Sequence, residues 1–304
     1  MKIAVRNLLQ RLLPLAAGLL TVLASPGPAQ AIETYCFGLF FGSQSQPRTA
    51  KYSHTFCTLV LAQGEGDDVT KYALQTETIS WLPATLNVRP LAVHPEKGVN
   101  LTLHQSLKYV SEKENIRCWG PHQLQPGAFV AVQRQIALLR SGRVQYQAAD
   151  AFSGSESVKN CFHAVSDLDQ YTGRQAYPLR QFGFQATENI VDTLDSRGRF
   201  LSRNHDWLVG RLGLRCYDIE YVEYNRCEKE SYPRKLNCCC VPPLVKLPAV
   251  PAGPAADGCT LAPNACTALI DSCTAVAGSC TTAAASCGAP VEIEAPMGEV
   301  HIVQ

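Results

Sequence analysis

Two short segments carry residue types suited to nucleophilic chemistry. In Asn160-Cys161-Phe162-His163-Ala164 a cysteine stands at the expected start of a helix. Unpaired backbone N–H groups and the positive end of the helix dipole stabilise a thiolate at such a position. In Tyr52-Ser53-His54-Thr55-Phe56 a histidine lies early in a β-prone run. Beside Cys161, its imidazole would take the thiol proton and stay as an imidazolium partner. A third polar group would orient the ring. His163 follows Cys161 by two residues, which on a helix turns it about 200° away, so it reads as structural or as a rim residue. Asp167, six residues past Cys161, falls on the wrong face for direct contact. His205 offers a rival pair with Cys161, but Asn204-His205-Asp206-Trp207 reads better as a capped helix start. Cysteines of exported chains commonly form disulfides, so Cys161 has a second reading as half of a bridge to Cys118 or Cys216.

Other chemistries lack their spacing. There is no Cys-x-x-Cys pair and no His-Glu-x-x-His, the signals of thioredoxin-like or zinc sites. There is no Gly-x-Ser-x-Gly elbow, no phosphate-binding glycine loop and no evident carboxylate pair for glycoside chemistry. No cofactor or metal is expected. Trp81 and Trp119 have rings that suit a substrate groove, although aromatic residues more often fill a core. Trp119-Gly120-Pro121 reads first as a turn. Asn100-Leu101-Thr102 is a glycosylation sequon, which matters only in a eukaryotic secretory pathway.

The elements that must position these residues are partly visible. Tyr52 to Ala62 reads as a strand, residues 64–68 as a turn, and Val69 to Leu82 as a second β-prone run closed by Pro83. Together they predict a β-hairpin. Pro126 to Leu139 is predicted helical, with Phe129, Val132, Ile136 and Leu139 at helical spacing and Ser141-Gly142 as the stop. Val144 to Ala148 predicts a short strand. Asn160 opens a helical stretch with Phe162, Val165 and Leu168 on one side and Gly173 beyond. A short helix is expected over His205 to Leu212, ended by Gly213. Cys216 to Tyr224 alternates as a half-buried strand does.

An Asn-Cys-x-His helix start, preceded by a strand bearing Ser-His-Thr-Phe, resembles the circularly permuted NlpC-type papain-like fold. That group includes peptidoglycan amidases and peptidases and the lecithin:retinol acyltransferase-like proteins. The resemblance covers roughly residues 50–170. It implies an α+β domain, an antiparallel sheet with packed helices, in which the histidine strand precedes the cysteine helix. It implies Cys161 as nucleophile and His54 as base. It also implies a third polar residue on the next strand, where Gln75, Thr76, Glu77, Thr78 and Ser80 stand, and Glu77 is the charged choice. The substrate class implied is a cell-wall peptide or an acyl amide.

The chain has 304 residues, 46% apolar and 17% charged, enough for one large domain or two small ones. The net charge of +1 leaves no electrostatic footprint for nucleic acid. Lys2, Arg6 and Arg11 precede an apolar run from Leu12 to Ala24, and Ala29-Gln30-Ala31 offers small residues for cleavage. Residues 1–31 thus read as a signal peptide, since a membrane span needs about 20 apolar residues. The protein is expected to be secreted or periplasmic, with no membrane span. Residues 32–240 form the folded body, 241–257 a Pro-rich linker, and 258–304 a Cys/Ala/Thr-rich tail. Five tail cysteines recur every seven residues, from Cys259 to Cys287. The tail reads as low-complexity chain or as a device for self-association through interchain disulfides, with metal capture third. Two function classes follow. One is a thiol hydrolase or acyltransferase. The other is a non-catalytic, disulfide-stapled exported scaffold with a crosslinking tail. The exported chain should begin at Ile32, which N-terminal sequencing of the protein recovered outside the cytoplasm checks.

Overall fold

Tyr35-Cys36-Phe37-Gly38-Leu39-Phe40-Phe41 is an unbroken apolar run, and it lies in strand β1 (Glu33–Gln44) of the computed structural model. Residues 32–150, 157–168, 182–237 and 240–246 are described. The expected signal peptide, the tail, most of the linker, Gly173, Cys238 and Cys239 lie outside them. A strand covered on both faces shows no apolar–polar alternation, so periodicity does not announce β1. It nevertheless sits in the middle of the main sheet. It pairs antiparallel with β2 (Ser53–Gly64) on one side and with β6 (Asn115–Leu124) on the other.

The main sheet continues outward to β3 (Ala73–Ile79) past β2, and to β10 (Ile219–Asn225) and β11 (Glu230–Pro233) past β6. β9 (Phe200–Ser202) also pairs with β6. A second sheet holds β4 (Trp81–Pro83), β5 (Glu96–Asn100), β7 (Gln145–Tyr146) and β8 (Val158–Lys159), in the order β4-β5-β7-β8. The architecture is α+β. The sheets are not purely antiparallel as expected, because β10 runs parallel to β6 and β8 parallel to β7.

Five α-helices among the described residues cover the two faces. Alternation along β1 divides the core: Cys36 and Phe40 join one cluster, while Tyr35, Phe37, Leu39 and Phe41 join the other. The first cluster packs α2 (Gly127–Arg140), α3 (Cys161–Ser166) and α4 (Phe184–Ser196). The second packs α1 (Leu103–Ser111) and α5 (Trp207–Arg211). α1 opens with a reciprocal cap, the Thr102 hydroxyl accepting from the Gln105 N–H and the Gln105 side chain reaching back to the Thr102 N–H. α4 lies close over β1 because Gly42 has no side chain. A Cβ there would stand 2.6 Å from Thr187 Oγ1.

The predicted hairpin is present as β2–β3, but Val69 to Leu82 is not one strand. Asp68 caps a short 3-10 turn at Val69–Lys71, and residues 81–83 leave for the second sheet. The predicted helix at 127–140 buries Phe129, Val132, Ile136 and Leu139. Trp119-Gly120-Pro121 is not a free turn. It lies within β6, where a register shift opposite Gly38–Phe40 absorbs a cis Gly120–Pro121 bond and Gly120 at φ +108°. Trp81 and Trp119 are core residues, 2% and 0% exposed, and line no groove. The strand expected from Cys216 begins at Ile219. No helix of the described residues is long and apolar enough to cross a membrane.

Phe40 is 1% exposed and lies in the central strand. Phe40→Ala should therefore lower stability by about 3–5 kcal/mol. Urea unfolding checks this, with an unchanged m-value expected.

Candidate active site

β3 and β2 are paired only as far as Cys57 and Ile79. Beyond that point Ser80 turns away and Trp81 enters the second sheet. The Thr78 carbonyl turns outward to Asn100, so the odd-numbered residues of β3, and those of β2 opposite them, direct N–H and C=O into the ladder. Thr55 is the next odd residue, and its strand neighbour has gone. Its N–H faces the Cys161 thiol and favours the charged form of the sulfur. The first residue of α3 thus occupies the place that β3 vacates. This contact joins the two segments that the sequence singled out, more than a hundred residues apart.

Asn160 caps α3, its Oδ1 accepting the His163 N–H at 2.8 Å. Behind it lies Asp150, a buried carboxylate the sequence reading did not identify. One Asp150 oxygen accepts the Asn160 backbone N–H at 2.8 Å and the His163 Nδ1–H at 2.5 Å. The other accepts Asn160 Nδ2 at 2.9 Å. His163 is therefore structural, and it is buried rather than on a rim. Asp167, on the far side of α3, forms an ion pair with the buried Lys159.

The Cys161 thiol is 4% exposed. Burial pushes its pKa up to about 12. The Asp150 charge adds to that rise, while N–H groups of Thr55, Cys161 and Phe162 oppose it. Cys161 is free, and so is Cys118, one of the two disulfide partners expected for it. Cys118 packs in the other core cluster.

His54 is buried at the start of β2. Its ring stacks on Phe56 with centroids 5.4 Å apart, on the strand face opposite Cys57 and Thr187-bonded Thr55. Nε2 is bonded to Ser80 Oγ at 2.8 Å, and Nδ1 has no partner. Ser80 is anchored in turn. Its N–H donates to Asn100 Oδ1 at 2.9 Å, while Asn100 Nδ2 donates to Thr78 O at 2.8 Å. The sequon asparagine is thus an internal strut. Burial drives the His54 pKa down to about 3, so the ring is neutral. No hydrogen bond joins it to the thiol. Glu77, the expected orienter, stands opposite Leu59, about 17 Å along the strand from His54. Ser80 makes the contact expected of Glu77. A hydroxyl at the bend where β3 ends satisfies one ring nitrogen without burying a charge.

The rival His205 lies against Phe37 in the other core cluster, at 4.8 Å between ring centroids, with Nε2 bonded to Ser202. A small cavity of about 50 Å³ touches the thiol, lined by Ser53, Val88, Tyr146, Asn160, Phe162 and Phe182 among others. That is room for about one or two waters. In an adjoining cavity Glu114 accepts the Ser43 hydroxyl at 2.5 Å, and burial raises its carboxyl to about 7. No sequence spacing points to Glu114, because only folding buries it. Among the described residues no three His, Cys, Asp or Glu side chains are grouped to hold a metal.

Two outcomes are expected. Asp150→Ala leaves buried donors on Asn160 and His163 facing an empty site, and should cost about 3–5 kcal/mol, readable by urea unfolding. Acid should also destabilise the fold. Burial lowers the pKa of His54 to about 3, of His205 to about 4, and of His122 well below the ordinary value. The unfolded chain therefore binds more protons. This stability is complete above about pH 6.5 and is lost as pH falls through the folded values. Glu114, raised to about 7, works in the opposite sense: its contribution is present below about pH 4.5 and is lost as pH rises through about 7. With three groups against one, Tm should drop by several degrees from pH 6.5 to pH 5, and His54→Gln should flatten the drop in a circular dichroism melt series.

No family model, curated protein or solved structure matches the chain, so what the site can do rests on its own residues and their geometry.

Proposed function

We propose that the chain is an exported thiol hydrolase or acyltransferase of permuted papain-like type, acting on an amide or ester such as a cell-wall peptide or an acyl amide. The observation that carries this reading is the approach of the Thr55 backbone N–H to the Cys161 thiol, near enough to favour its charged form against the effect of burial. It seats the cysteine against the backbone of Thr55, next in sequence to His54, whose ring lies on the other face of β2. Cys161 is the nucleophile and His54 the base, through the unpartnered Nδ1. Ser80 holds Nε2 and fixes the ring.

In the reaction, Cys161 Sγ attacks the carbonyl carbon while its proton passes to His54 Nδ1. The imidazolium then returns the proton to the leaving amine or alcohol. Water or a second acceptor takes the acyl group from sulfur, with His54 removing its proton. The resting pair is neutral and closed. Substrate binding has to widen the small cavity and turn the His54 ring round the open edge of β2, so that Nδ1 reaches the sulfur.

A specific observation favours a second reading. With the thiol pushed up to about 12 and the imidazole down to about 3, the closed site holds no thiolate. An inactive relative, with a scaffold body and a crosslinking tail, would look the same.

Alkylation of the native protein with iodoacetamide, followed by peptide mapping across pH, separates the two. For the enzyme, Cys161 should label near neutral pH at least about tenfold faster than the fully buried Cys57. His54→Ala should move that profile to higher pH. Labelling no faster than Cys57 and indifferent to His54→Ala would assign the chain to the scaffold class.

A further inference from the structure

β3 is the last strand of the main sheet, and its outer edge borders a groove of about 680 Å³. Even-numbered residues direct their backbone groups to this edge, since the odd ones face β2. The two ends of the edge are closed. Arg211 donates to the carbonyls of Thr70 and Tyr72. Asn100 and Leu101 take up Thr78 O, Ser80 N and Ser80 O. Between them, N–H and C=O of Leu74 and Thr76, and the Thr78 N–H, have no hydrogen-bond partner among the described residues. This window is two to three residues long and carries no proline, bulge or lysine. Natural edge strands are normally blunted by such features or covered.

The groove has two unlike walls. On the α1 and α5 side stand Leu101, Leu103 and Leu212, with Leu74 facing them. The other wall carries Arg140 at the end of α2, with no ion-pair partner among the described residues, and Glu77. An added strand that suits these walls is apolar on one face, and on the other sets an acidic side chain on Arg140 and away from Glu77.

The chain itself contains such a segment, Val291-Glu292-Ile293-Glu294, bracketed by Pro290 and Pro296. In extended form Val291 and Ile293 share one face, and Glu292 and Glu294 the other. The path to the groove is short. Lys246 pairs with Glu33 at 2.7 Å, and Glu33 also accepts from Tyr72, the residue before β3. The 44 residues 247–290 are chain enough for this return, since a coil of that length spans roughly 35 Å.

We propose that Val291–Glu294 of the same chain adds to β3 as an edge strand, with Val291 and Ile293 against the leucine wall and an acidic side chain on Arg140. The Cys-rich repeat would then be a loop held at both ends on the body. This assignment stands independently of any catalysis at Cys161.

Amide hydrogen exchange of the full-length chain tests it. The Leu74, Thr76 and Thr78 amides should exchange at least about tenfold more slowly in the wild type than in Ile293→Pro, which removes a ladder donor. Glu292→Lys/Glu294→Lys should lie between, closer to the wild type at high salt. Equal exchange in wild type and Ile293→Pro would overturn the proposal. So would protection that responds instead to Ile302→Pro, in Val300-His301-Ile302-Val303. Protection that vanishes on dilution would place a second copy on the edge and overturn it as well.

Discussion

Asp150 is a carboxylate taken out of water. A buried charge is tolerated only when donors surround it. Here those donors come from the start of α3: the Asn160 backbone, the Asn160 side chain and the His163 ring. The carboxylate thereby fixes where α3 begins and which way its first residue points. Cys161 is aimed at the bared edge of β2 because Asn160, one residue earlier, is held twice by Asp150. His163 supports the cysteine from the opposite side of the helix without entering the site.

The second constraint is the parting of β3 from β2. A continuous hairpin would have sealed the Thr55 N–H in a ladder. The bend at Ser80, held by Asn100, leaves that N–H facing the Cys161 thiol and turns the Ser80 hydroxyl toward His54. One local event thus produces both polar contacts of the site. The cost is burial: thiol and imidazole both lie in low dielectric, where each keeps its neutral form. Reactivity in such a site depends on a conformational step that admits substrate. Glu114, poised near neutrality in the adjoining cavity, belongs to the same burial pattern.

Much of the local structure was legible. The hairpin, the α2 core stripe and the Asn160 cap follow from short-range rules: turn residues, 3.6-residue spacing, a side chain that accepts its own helix's N–H. Phe129, Val132, Ile136 and Leu139 are buried as their spacing requires. The illegible parts have physical reasons. β1 has no alternation because both faces are covered. The Trp119-Gly120-Pro121 signal is a turn signal absorbed inside a strand by a register shift. Glu77 looked like an orienter because it is charged and on the right strand, but register, which composition does not encode, puts it on the groove side near Arg140.

By itself the sequence determined the class of element at each chemical residue: a strand for His54, a capped helix start for Cys161, a parity that turns Cys57 from His54. These depend on neighbours within a few positions. Only the tertiary structure decided which elements meet. The Thr55 N–H faces the Cys161 thiol and Ser80 stands where Glu77 was expected, because the ladder ends at Ile79, and Asp150 anchors the helix. Such contacts depend on where a strand stops pairing, which is settled by packing and long-range hydrogen bonds rather than by any local pattern.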